Sequence, residues 1–220
     1  MVVILFSLAA IVLINTKEVF RGHHLNTKLL GFKKVARDAI ANGFFNTKAN
    51  LSFIVWPLFM FTILPGFKNI GYLEGISVAL SIVVVFLAGK FLDHHGRKKF
   101  LIWTSMLYVP ISIIRILAFN PISLVIIHIL YRLADRANGL TWISIFHSNL
   151  SKHPRAEYVL WFEFVGPLIL AGFMFLFVLL AQAVEFKTVL IIGIIFGSVC
   201  SLLSNLVSYR EAEWSQIEAK

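Results

Sequence analysis

Apolar residues run along this chain in long blocks, separated by short breaks rich in Lys, Arg, Gly, Pro or Asn. A helix needs about 20 largely apolar residues to cross a bilayer. Six blocks approach or exceed that length: 49–67, 75–92, 100–119, 122–148, 158–183 and 188–208. A shorter apolar stretch, 1–15, precedes them with no Lys or Arg ahead of it, so it lacks the basic start of a secretory signal peptide. It reads as the inner part of a helix. The expected fold is therefore an all-α, polytopic transmembrane helical bundle with six full spans plus a partial N-terminal span. The expected division is 1–16 partial transmembrane helix, 17–48 cytoplasmic basic loop with an interfacial helix, 49–208 six-helix transmembrane bundle, and 209–220 cytoplasmic tail.

Composition agrees with the pattern. Hydrophobic residues make up 59% of the 220 and charged ones 14%, against about 45–50% and 25% in soluble domains. That balance excludes a disordered tail, a disulfide scaffold and an ordinary soluble enzyme; the one cysteine, Cys200, lies in an apolar run. The net charge of +9 would suggest nucleic acid in a soluble protein. Here the cations sit in the breaks, as the positive-inside rule requires. Fourteen of 20 Lys and Arg fall on one side, Lys68 and Lys187 on the other, and Lys90, Arg115, Arg132 and Arg136 within spans. The expectation is a multi-pass protein of the plasma (inner) membrane, main loops and C-terminus cytoplasmic, with lipid and not nucleic acid as its surroundings.

Within 28–41, Leu29, Phe32, Ala36 and Ile40 share one helical face, and Lys33, Lys34 and Arg37 lie off it. Such a helix suits the inner headgroup layer; a solvated basic loop is the alternative.

The most specific segment joins spans two and three: Gly89-Lys90-Phe91-Leu92-Asp93-His94-His95-Gly96-Arg97-Lys98-Lys99-Phe100-Leu101. Gly89 would admit a neighbouring helix, Asp93 would face a helix N-terminus, and Gly96 would take positive φ in a tight reversal. Arg97 and Lys98 would anchor in headgroups or pair with acids on adjacent helices. The segment resembles the major facilitator superfamily signature G-x-L-A-D-R-x-G-R-K-x-x-L, matching at Gly89, Asp93, Gly96, Arg97, Lys98 and Leu101. It departs from it at Phe91, Leu92 and His94. The resemblance implies a gating motif after the second helix of a C-terminal six-helix half, with residues 17–48 as the connector between halves. It further implies a secondary transporter working by alternating access, possessing no cofactor and needing a complementary N-terminal half or a second copy.

Span four carries charge at its centre: Arg132, Asp135 and Arg136. Each would cost about 2.5–3.5 kcal/mol at a lipid-facing helix centre, so they must face protein or water. Arg132 and Asp135 can pair at i,i+3. His128, Arg132, Asp135, Gly139 and Trp142 lie on one face by their spacing. By resemblance that face lines the pathway of a small-molecule solute or a coupling proton; a structural ion pair is the competing reading. Glu163 either joins the cavity or pairs with Arg97 or Lys98, and Arg115 and Lys90 should snorkel at span ends. Gly193, Gly197, Ser201, Ser204 and Ser208 give span six a small-residue face, for packing inside the bundle or against a partner.

Two arginines and one aspartate lean toward an anionic or zwitterionic solute. A heptahelical receptor fits less well, because residues 17–48 form a long early loop, the Asp135-Arg136 pair is mid-span, and no span lysine suits a retinal Schiff base. The seven histidines show no HxxxH or HxxHH box, so no metal site and no enzyme are expected. A truncated half that folds without transporting is the remaining alternative.

Overall fold

The computed structural model describes residues 31–64, 66–94, 96–150 and 155–208. The expected partial helix, most of the basic connector and the tail lie outside those residues. Six long helices follow one another: α1 (Phe32–Ile63), α2 (Phe67–His94), α3 (Arg97–Ile114), α4 (Pro121–Leu150), α5 (Arg155–Ala183) and α6 (Phe186–Leu203). Short 3-10 turns, Arg115–Leu117 and Ser204–Leu206, finish α3 and α6. The described residues contain no strand.

The breaks have local causes. Gly66 turns the chain between α1 and α2 at φ 115°, a left-handed value that glycine adopts without a Cβ penalty. Asn120 caps α4: its side-chain oxygen accepts the Ser123 N–H at 2.8 Å, and Pro121 takes the first helical position, where no N–H is needed. Gly96 precedes α3 at φ −30°, not at the positive φ expected of it, because its carbonyl accepts the Phe100 N–H at 3.2 Å.

Four helices are long and apolar enough to cross a membrane: Phe67–Leu92, Arg97–Leu117, Glu157–Ala183 and Phe186–Leu206. The other two long helices, α1 and α4, hold polar side chains inside the bundle. The boundary expected at 48/49 falls within α1, which runs unbroken from Phe32. Of the expected interfacial stripe, Phe32 and Ile40 are exposed and Ala36 is half-buried, while Val35, Asp38, Ala39 and Ala41 are buried against the bundle; Leu29 lies outside the described residues.

α1 packs on α5 and α6, α4 packs on α2 and α3, and α3 meets α6, whereas α1 and α4 touch only slightly. The small-residue face of α6 turns inward: a Cβ on Gly193 would lie 3.0 Å from Val55 and one on Gly197 3.9 Å from Leu51. Two apolar blocks result. One gathers Leu51, Trp56, Met60, Tyr108, Tyr131 and Ile194; the other gathers Val35, Leu101, Trp142, Ile145, Tyr158 and Phe162. Buried polar residues of several helices accompany them, including Lys48 of α1, Ser105 of α3, Asn138 of α4 and Ser201 of α6. The second block lies at the end carrying Arg37, Arg97 and Lys98, called here the basic end.

Candidate functional site: a polar layer through the bundle

Lys48 of α1 and Asp135 of α4 are the centre of this layer. The Lys48 ammonium is 1% exposed, 2.9 Å from an Asp135 oxygen and 2.9 Å from Oδ1 of Asn138. It also lies 4.1 Å from the centre of the Tyr108 ring. The Asn138 amide donates to Ser105 Oγ at 2.9 Å, and Ser105 Oγ bonds Asn205 Oδ1 at 3.0 Å. A buried pair survives only when its remaining donors and acceptors are satisfied, and this chain of amides and hydroxyls does that for Lys48.

A second ion pair stands one turn along α4, where Arg132 binds Glu74 of α2. Glu74 also faces His128, with 3.7 Å between its oxygen and Nε2. The Trp56 indole N–H donates to His128 Nδ1 at 2.7 Å, so an uncharged imidazole carries its proton on Nε2. Arg132 and Asp135 therefore do not pair along the helix; each reaches a partner on another helix. Side-chain exposures of 22–24% for Arg132, Asp135 and Glu74 show that the layer opens to one side. Arg136 is exposed beside them.

Arg115 does not snorkel. It is 1% exposed, with its guanidinium carbon 3.6 Å from the Tyr131 ring centre and 4.6 Å from that of Trp56. Nη2 donates to Ser112 Oγ at 2.8 Å and Nε to the Ser112 carbonyl at 3.3 Å. No carboxylate among the described residues is within 4.0 Å of it. A desolvated cation–π contact contributes about 2 kcal/mol and a helix C-terminus up to about 2, against several kcal/mol for burying the ion.

In the motif between α2 and α3 the described cations meet backbone carbonyls rather than acids of adjacent helices. Lys98 donates to the carbonyls of Val207, at 2.7 Å, and Asn205, and Arg97 reaches the Ser144 carbonyl at 3.4 Å. The Lys98 contacts fall on carbonyls just past α6, where partial negative charge collects, and Arg97 reaches one in the last two turns of α4. Glu163 is exposed and is partnered with neither of them. A Cβ on Gly89 would meet nothing within 4 Å among the described residues. The side chains of Asp93 and His94 are not among those described, and His95 lies outside the described residues.

The basic end holds a third carboxylate. Asp38 is 3% exposed; Oδ1 accepts the Ser208 N–H at 2.7 Å and its hydroxyl at 2.5 Å. Oδ2 accepts Asn149 Nδ2 at 3.1 Å and the Tyr158 hydroxyl at 3.0 Å. Arg37 Nε donates to the Leu206 carbonyl at 2.5 Å.

Lys48, Glu74, Trp56, Arg115 and Asp38 were not among the expected site residues. Two were missed by a single position, since the apolar blocks were started at 49 and 75. A span boundary drawn by hydropathy stops at a charge, even when that charge belongs to the bundle interior. Lys48 also removes one ground against the heptahelical reading, because a lysine does lie deep in a helix; it is already engaged by Asp135 and Asn138. Among the described residues no three His, Cys, Asp or Glu converge as metal ligands.

Fold and site together define an all-helical protein with four helices suited to crossing a membrane and a charged layer running through its interior. No protein-family model, curated protein or solved structure matches the chain.

Proposed function

We propose that the chain is a six-helix half of a major facilitator superfamily-type secondary transporter, placed in the plasma membrane with its basic end cytoplasmic. On this reading α1 and α4 are also spans, and their charges are tolerated because they face one another rather than lipid. Moving Lys48 to mid-depth leaves thirteen cations on the cytoplasmic side against two outside, so the charge bias stands. The observation that carries the proposal is the pair of interhelical ion pairs, Lys48–Asp135 and Arg132–Glu74, partly open along α2 and α4. Arg136, exposed beside them, supplies a further cation to the pathway. Alternating access needs a facing wall, contributed by a complementary half or a second copy. The open surroundings of Gly89 suit such a neighbour. The excess of cations favours an anionic or zwitterionic solute, moved by alternating access with a proton as the coupling ion.

Flux in proteoliposomes tests this. Purified chain, alone and with a candidate partner half, is assayed with labelled organic anions and zwitterions under an imposed proton gradient. Asp135→Asn and Arg132→Gln should abolish flux while the protein remains folded and inserted. Normal flux through both variants removes the pathway role.

A further inference from the structure

The charges enclosed in the layer do not cancel. Lys48 faces Asp135 and Arg132 faces Glu74, which leaves Arg115 as a buried cation without a carboxylate. Around it, hydrogen-bonding groups go unused. Arg115 Nη1, His128 Nε2, Arg132 Nε and Tyr131 Oη are all buried and have no hydrogen-bond partner among the described residues. Glu74 lies 3.7 Å from His128 Nε2, and the Tyr108 hydroxyl lies near that of Tyr131.

These four belong to one neighbourhood. The Arg115 guanidinium lies against the rings of Tyr131 and Trp56. Trp56 in turn is bonded to His128, and Arg132 follows His128 by one turn on α4. With its proton on Nε2, His128 presents a donor, as do both arginines and the tyrosine hydroxyl. Native interiors rarely leave buried donors unused. Four donors with one surplus positive charge form the chemistry that recognises a single negative group.

We infer that Arg115, His128, Tyr131 and Arg132 form a binding site for one monovalent anion, either a halide or the carboxylate group of a small organic acid. The site explains why a cation can stay buried at the end of α3 with no acid beside it. It deepens the transporter reading by giving the solute class, and depends on that reading only for the step from bound anion to carried anion.

The test is calorimetric titration of the full chain in lipid nanodiscs, equilibrated in sodium sulfate, with sodium bromide and separately with sodium formate. One saturable anion per chain is expected. Tyr131→Phe, which keeps the ring under Arg115 and removes only the hydroxyl, should weaken binding about tenfold. Arg115→Met should weaken it about tenfold or more, and Lys90→Gln, on the exposed surface of α2, should leave it unchanged. Absence of saturable binding with both anions overturns the proposal, as does wild-type affinity in Tyr131→Phe, which decides the matter if Arg115→Met does not fold. Binding of bromide alone assigns the site to a resident halide; binding of formate as well assigns it to a carboxylate group. Formate binding without formate flux in proteoliposomes upholds the site and counts against the carrier. Flux that ignores both variants, with binding weakened as expected, upholds the site and overturns the step from bound anion to carried anion.

Discussion

Two interior aspartates, Asp38 on α1 and Asp135 on α4, meet opposite surroundings. Asp135 is answered by a full charge, the Lys48 ammonium at 2.9 Å. Asp38 is answered by neutral donors, namely a backbone N–H, two hydroxyls and an amide, while the nearby cations Arg37 and Lys98 are spent on carbonyl oxygens. Charge matched by charge makes each partner dependent on the other's ionisation. Charge shared among dipoles ties together the helices that supply them. The basic end, where residues from α1, α4 and α5 and the segment after α6 converge on Asp38, is thus built as a clamp, and the central layer as a set of ion pairs between helices.

The largest expected effect breaks the central pair. Lys48→Met alone should destabilise the protein by about 3–5 kcal/mol, because Asp135 is left charged and unanswered. The double variant with Asp135→Asn should recover more than half of that loss. A double-mutant cycle in detergent unfolding measures it, and no recovery would make the pair merely adjacent. Asp38→Asn comes next, with about 2–3 kcal/mol lost as a donor replaces an acceptor facing donors. Neutralising Arg37 or Lys98 should give no recovery, and recovery with either would show that Asp38 is charge-matched after all.

Smaller effects test the surfaces around the two regions. Gly43→Ala should cost about 1–3 kcal/mol, since its Cβ would lie 2.9 Å from Ile169 Cβ on the α1–α5 contact. Gly89→Ala should change the stability of the isolated chain by less than about 1 kcal/mol, with the sign of a helix-propensity gain. On the transporter reading it should still lower flux, because the space it fills is where a second bundle docks. Equal flux in that variant would leave Gly89 without a partner.

Much of the helical order was legible, because blocks of apolar residues and the Asn120-Pro121 and Pro65-Gly66 breaks are local signals. The charge at the centre of α4 was legible, since Arg132, Asp135 and Arg136 fall among 27 mostly apolar positions. Partners were not legible. The i,i+3 spacing suggested Arg132 with Asp135, yet only the fold brings Glu74 and Lys48 within reach. Segment 28–41 reads as amphipathic by spacing, but the buried side of α1, which begins within it, is chosen by α5 and α6, far away in sequence. Arg115 looks like a span-end cation in one dimension, and becomes a buried one only when Trp56 and Tyr131 close over it. The signal that would have found Lys48 and Glu74 is the rule already applied to α4: a charge bordering an apolar block invites a search for its opposite.

The polar layer also bears on how the chain is made. Lys48 is synthesised before its partners, and Asn138, which completes its hydrogen bonding, lies 90 residues further on. At about 5–20 residues per second, the ribosome takes roughly 5–18 s to supply it. On the transporter reading, in which α1 is a span, α1 carries an unanswered ammonium through that interval, and its residence in the insertion machinery has to outlast the synthesis of α2, α3 and most of α4.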